Sequence, residues 1–212
     1  MSSMARPADE KANLATHGFG LLLSLAAAPF LLRSVLAAGN QRISLACGVY
    51  CLTLVTLYAA STLSHAFHDI NRRRFFRTFD QVSIFFMIAG SFTPFAVGFL
   101  SRGWWWALLP AMWIMAFAGA AFVLRRRDLS RRAKFAYAAL GILAVISFRE
   151  LYQVAPLNML RLLVAGLLFY SAGTIFLALG KTTRYFHSLW HLFVLAGSAC
   201  HYAAIAVYIA AR

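Results

Sequence analysis

The stretch ISLACGVYCLTLVTLYAASTLSHA, Ile43 to Ala66, contains no Asp, Glu, Lys or Arg. A helix needs ~20 apolar residues to cross the hydrocarbon of a bilayer, and this stretch is long enough. Its apolar character is continuous rather than alternating, which argues against a barrel strand. In lipid the backbone must satisfy its own polar groups, and a helix does so within one segment. Comparable runs lie at Leu14–Leu36, Val82–Leu100, Trp104–Leu124, Phe135–Phe148, Leu157–Leu179 and Leu189–Ala211. The fifth is the shortest and is the weakest span when read alone. The sequence therefore predicts an all-α, polytopic bundle of seven transmembrane helices in a single domain over residues 1–212, with residues 1–13 as a cytoplasmic lead. Leu14–Ala38 is too long for the apolar core of a signal peptide and follows a lead containing Asp9 and Glu10, so it reads as a retained first span.

Composition agrees with this reading. Apolar residues make up 62% of the 212 and charged residues 12%, about half the charged share of a soluble domain. Mean hydropathy is +0.72. A net charge of +14 would suit nucleic acid if it covered a soluble surface. Here it sits in clusters between apolar runs: Arg72, Arg73, Arg74 and Arg77, then Arg125, Arg126, Arg127, Arg131, Arg132 and Lys134. Such clusters set topology and meet anionic headgroups, so membrane lipids are the expected partners and nucleic acid is not. If the N-terminus and every second connection share one side, that side holds 14 of the 20 Lys and Arg, with Arg6, Lys11, Lys181 and Arg184 completing it. The other side holds Arg33, Arg42, Arg102, Arg149, Arg161 and Arg212. The bias puts the N-terminus inside and the C-terminus outside, and Trp104, Trp105 and Trp106 then begin the fourth span at the outer interface. Cys47, Cys51 and Cys200 give no disulfide framework and read as small packing residues. Gly90, Ser91, Thr93 and Pro94 suggest a kinked, closely packed third helix, and Pro29 and Pro110 also fall within spans.

Ionisable groups inside spans are costly and mark function by default. The alternation of spans brings several of them to one face. His65 ends the second span, Asp80 begins the third, His187 and His191 begin the seventh, and Asn13 and His17 open the first. His187 and His191 are four residues apart, hence on one face of a helix and close enough to chelate one ion. No Glu follows His187, so this is not the metalloprotease motif. His65 would add a third nitrogen from across the bundle. Three neutral imidazoles with one open position is a catalytic zinc pattern, and Asp80 could hold or orient the water there. Iron would favour two His and a carboxylate as direct ligands. Ser61, one turn before His65, either supports the site or bonds its own helix. Asp69 competes with Asp80 as the water-holding carboxylate, or else pairs with the neighbouring arginines. His68 reads as interfacial. His201 lies ~15 Å deeper than His191, too far to share the ion, and could line a cavity or bond across helices. Glu150 reads as an interfacial partner of Arg149.

Four short motifs in order resemble those of the hemolysin III proteins of bacteria, within the progestin and adiponectin Q receptor family. They are Glu10-x-x-Asn13-x-x-Thr16-His17-x-x-Gly20, Ser61-x-x-x-His65, Asp80 followed by Ile88 to Pro94, and His187-x-x-x-His191-x-x-Val194 with His201 beyond. The resemblance implies seven helices, a cytoplasmic N-terminus, and location in the bacterial inner membrane. It also implies a zinc ion held by His65, His187 and His191, with Asp80 against the zinc-bound water. Gln81 departs from a His frequent in bacterial relatives and cannot relay protons. Alkaline ceramidases are similar in architecture, and animal receptors of the family are associated with ceramide hydrolysis. The expected function is thus zinc-dependent hydrolysis of a ceramide-like lipid amide, with Asp80 as base and Ser61 in support. The alternatives are a non-catalytic membrane-homeostasis sensor or receptor with structural zinc and, less in keeping with spans that lack a long polar stripe, a pore-forming hemolysin. No protein partner is implied.

Overall fold

A computed structural model of the chain describes residues 7–126, 131–180 and 182–210. Of the cations counted above, Arg6, Arg127, Lys181 and Arg212 lie outside the described residues, as do the side chains of Arg131, Arg132 and Lys134. The described chain folds into eight α-helices: α1 (Pro7–Ala38), α2 (Gln41–Ala66), α3 (Ile70–Phe99), α4 (Leu108–Arg126), α5 (Arg131–Ile146), α6 (Phe148–Val154), α7 (Leu157–Leu179) and α8 (Phe186–Tyr208). A short 3₁₀ turn, Gly103–Ala107, leads into α4. Seven segments are long and apolar enough to cross a membrane, and α5 and α6 together make the fifth, Phe135–Val154.

Two of these helices extend well beyond their apolar runs. Helix α1 begins at Pro7 rather than at Leu14, because Pro is well placed in a first helical turn and Asp9 and Glu10 follow it there, where acidic side chains favour the positive end of the helix dipole. Helix α3 begins at Ile70, so the Arg72–Arg77 cluster is helical and only 67–69 connect it to α2. Asp69 caps α3, its Oδ1 accepting from Arg72 N at 2.9 Å, and Arg is itself a good helix former. The fifth span is interrupted at Ser147, whose hydroxyl donates to the Ala144 carbonyl at 2.6 Å. Helical bonding resumes with Leu151 N donating to Ser147 O at 3.0 Å. Arg149 and Glu150 break the hydropathy of this span but not its helix. No ion pair joins the two among the described residues, since neighbours in a helix point to different faces.

Consecutive helices pack as neighbours, and α8 returns to contact α1 and α7, closing the bundle with α3 packed inside it. The interior is filled by Tyr50, Phe85, Met112, Leu140, Met159 and Ile205, all fully buried. Large apolar side chains such as Phe30, Leu52, Ile114 and Leu168 face outward. That surface would be a liability in water and is the expected one in lipid.

The close approach of α2 and α3 depends on Gly90. A Cβ there would overlap Thr53 Oγ1 and lie under 3 Å from two further Thr53 atoms. This is small-residue packing of the kind that joins membrane helices, as the Gly90–Pro94 segment suggested. Gly90→Ala should therefore lower thermal stability by about 1–3 kcal/mol. Gly141→Ala, where a Cβ meets nothing within 4 Å, should leave it unchanged or higher. Thermal melts of both variants in one detergent check the contrast.

Candidate metal centre

Four helices present polar side chains at one end of the bundle. Helix α2 contributes Ser61 and His65, one turn apart. Helix α8 contributes His187 and His191, also one turn apart. Helix α1 contributes Glu10, Asn13 and His17, spaced along one helical face, and α3 contributes Arg73, Arg77 and Asp80. The lead into α8 is set by Tyr185, whose φ of 62° is left-handed. A non-glycine residue there carries strain of about 1–3 kcal/mol. Arg184 lies over the Tyr185 ring at 4.6 Å, a contact that helps hold this turn two residues before His187.

His65, His187 and His191 each place one donor atom within 4.8 Å of the other two. Their ring centroids are 4.6 to 5.5 Å apart. His191 is 2% exposed and His65 8%, and His187 is half-buried. The far nitrogens of two rings are already engaged. His65 Nδ1 lies 2.7 Å from Glu10 Oε2. His191 Nδ1 lies 3.0 Å from Thr16 Oγ1, which itself donates to the Ala12 and Asn13 carbonyls and so accepts from the ring. Nε2 of both residues is left available as a donor atom. Imidazoles that bind metal through one nitrogen and are anchored through the other are the usual arrangement at protein metal sites. Three nitrogen donors would leave a tetrahedral ion one open position. The donor set therefore fits a divalent ion such as zinc.

The remaining predicted residues surround this cluster. Asn13 accepts from Ser188 Oγ at 2.6 Å, tying α1 to α8. His17 stacks on His191 at 3.5 Å between centroids without joining the three-way cluster. Its Nδ1 lies 2.5 Å from Ser61 Oγ, and its Nε2 is buried without a protein partner among the described residues. Ser61 therefore bonds across to α1, not back along its own helix, and its hydroxyl also faces the Asp80 carboxylate. Asp80 is half-buried and stands outside the three-histidine cluster. Asp69 is spent on capping α3, and His68 is exposed in the turn before it. His201 packs edge-on against Tyr170 at 5.4 Å, away from the cluster.

Glu10 is the residue that the reading by spans passed over. It falls outside the apolar run, so hydropathy gives it no role beyond the N-terminal lead and its motif. The usable signal is its spacing: Glu10, Asn13 and His17 share a face only if the helix begins before Leu14. Its second oxygen is bonded by Arg73 and approached by Arg77 at 3.6 Å.

Residues 6–202 match the family described as haemolysin-III related. The chain belongs to that family. Hemolysin-3 of Bacillus cereus is 33% identical over 202 residues, covering 95% of this chain and 92% of that protein. The Hemolysin-3 homolog of Bacillus subtilis is 31% identical, covering 94% of each. Monocyte to macrophage differentiation factor of Homo sapiens is 25% identical, covering 95% of this chain and 84% of that protein. The human relative is a member of the progestin and adiponectin Q receptor family, the link that the four motifs implied. The haemolysin-III-related chain is thus an integral, multi-pass membrane protein carrying a histidine cluster able to bind a metal.

Imidazoles ligate metals only when unprotonated. Metal bound here should be retained at pH ~8 and released over an interval of falling pH as protons compete for the three nitrogens. Zinc retention after dialysis across that interval, measured by elemental analysis, checks this.

Proposed function

We propose that this haemolysin-III-related chain is a zinc-dependent membrane hydrolase acting on a lipid amide, with its metal held by His65, His187 and His191. The observation that carries the proposal is the three-way cluster itself: three nitrogen donors within 4.8 Å of one another, two of them from rings anchored at the other nitrogen. A catalytic rather than purely structural role is favoured by three-fold ligation, which leaves a coordination position open, and by a carboxylate nearby but outside the donor set. Bound at this site, zinc would supply a Lewis acid for the substrate carbonyl and lower the pKa of a water.

The chain's own residues take the remaining roles. Asp80 receives the proton of the attacking water and returns it to the leaving amine as the C–N bond breaks. Ser61 donates to the Asp80 carboxylate and accepts from His17 Nδ1–H, so it fixes the carboxylate against α1. The outward apolar surface supports a setting among lipids, from which an amphiphile with its amide at headgroup depth would reach the site from the side. The N-terminus is assigned to the cytoplasm and the chain to the bacterial inner membrane. Arg72, Arg73, Arg74, Arg77, Arg125, Arg126 and Arg184 lie at the ends of the helices that share the site's face, as cytoplasmic cations do.

Purified protein should bind one zinc per chain, and His187→Ala should lose it. Asp80→Asn should keep the zinc and lose at least about 100-fold in turnover of a ceramide-type amide, the range typical of general-base removal. Turnover that survives in Asp80→Asn, or that is absent from metal-loaded wild type on a broad lipid-amide panel, would count against hydrolysis. A fall in melting temperature on chelation, with no activity to lose, would instead favour a structural zinc in a sensor.

A further inference from the structure

Glu10 has no part in the chemistry assigned above, yet its surroundings are unusually well built. It lies in the first turns of α1, and its two carboxylate oxygens are divided between different helices. Oε2 accepts from His65 Nδ1 on α2 at 2.7 Å. Oε1 accepts from Arg73 on α3, with Arg77, one turn further, at 3.6 Å. The carboxylate side chain is 14% exposed and that of His65 5%, so water competes little for either bond. Charge-assisted bonds of this kind are roughly twice as strong as neutral ones. The adjacent acid, Asp9, turns instead to Arg184 at 3.5 Å, contacts no histidine, and serves as a built-in comparison.

We infer that Glu10 is the positioning residue of the metal centre: it fixes the His65 ring so that Nε2 faces His187 and His191, and Arg73 in turn fixes Glu10. This inference rests on the metal reading given above and adds to it a dependence on the N-terminal turn of α1. A His65 ring without this partner could rotate about its side-chain bonds, and Nδ1 could compete with Nε2 for the ion. Outer partners of ligating histidines typically contribute 10–100-fold to metal affinity. The Arg73 contact has a second consequence. It makes the start of α3 part of the same support, so the cation cluster read as a topology signal also serves the site.

The test uses the full chain, purified in detergent, with zinc affinity read by competition against a chromophoric chelator. Cobalt substitution reports the ligand geometry through its visible absorption. Glu10→Ala should weaken zinc binding 10–100-fold and alter the cobalt spectrum. Glu10→Gln, whose amide oxygen still accepts from Nδ1–H, should recover most of the loss and provides the reading if Glu10→Ala misfolds. Arg73→Met should weaken binding less than Glu10→Ala, and Asp9→Ala should leave it at the wild-type value. Wild-type affinity in Glu10→Ala, or an equal loss in Glu10→Ala and Asp9→Ala, would overturn the positioning role. Wild-type protein that binds neither zinc nor cobalt would overturn the metal reading itself, an outcome distinct from either of these.

Discussion

A polar atom inside an apolar helix bundle has no water to fall back on, and an unpartnered one costs on the order of 1–3 kcal/mol. This constraint shapes the charged end of the haemolysin-III-related fold. Four histidines, an asparagine, several hydroxyls and two carboxylates are gathered there, and most are bonded to a residue on another helix. His191 is held by Thr16, Asn13 by Ser188, Ser61 by His17 and His65 by Glu10. Each of these bonds crosses between α1 and either α2 or α8. Helix α1, whose outer surface is largely open to lipid, is therefore fixed to the bundle at this end chiefly by polar contacts. The opposite end relies on apolar contacts such as those of Val35, Ile43 and Leu100.

Much of this was legible in the amino-acid sequence. Seven spans follow from hydropathy because lipid imposes a single requirement on every segment. The convergence of His65, His187 and His191 follows from topology, since alternating spans return polar termini to one face. Helix starts were less legible. Hydropathy marks where a helix enters hydrocarbon, not where helical bonding begins, so the first turns of α1 and the arginine-bearing turns of α3 looked like loops. Glu10 was hidden by that difference. The fifth span looked short for a related reason: Arg149 and Glu150 interrupt its apolar run while the helix continues past Ser147.

Asp69 and Asp80 show where spacing alone reaches its end. Both lie within two turns of arginines, and both could reach toward the histidines from α3 or its lead. Local geometry separates them. Asp69 precedes the first turn of α3 and is used by the backbone it caps. Asp80 lies three turns further on, facing Ser61. No count of residues distinguishes the two, because capping depends on where the helix starts.

The histidine cluster also has a biosynthetic meaning. His65 is made early, while His187 and His191 belong to the final helix. A chain inserted into the membrane one segment at a time cannot complete the cluster until α8 has entered and docked against α1. Asn13 and Thr16, made well before α8, must wait on the bundle for their partners Ser188 and His191. The complete donor set is therefore a record of finished assembly: a chain arrested before α8, or with that helix misoriented, retains one histidine of the three and has no chelating pair.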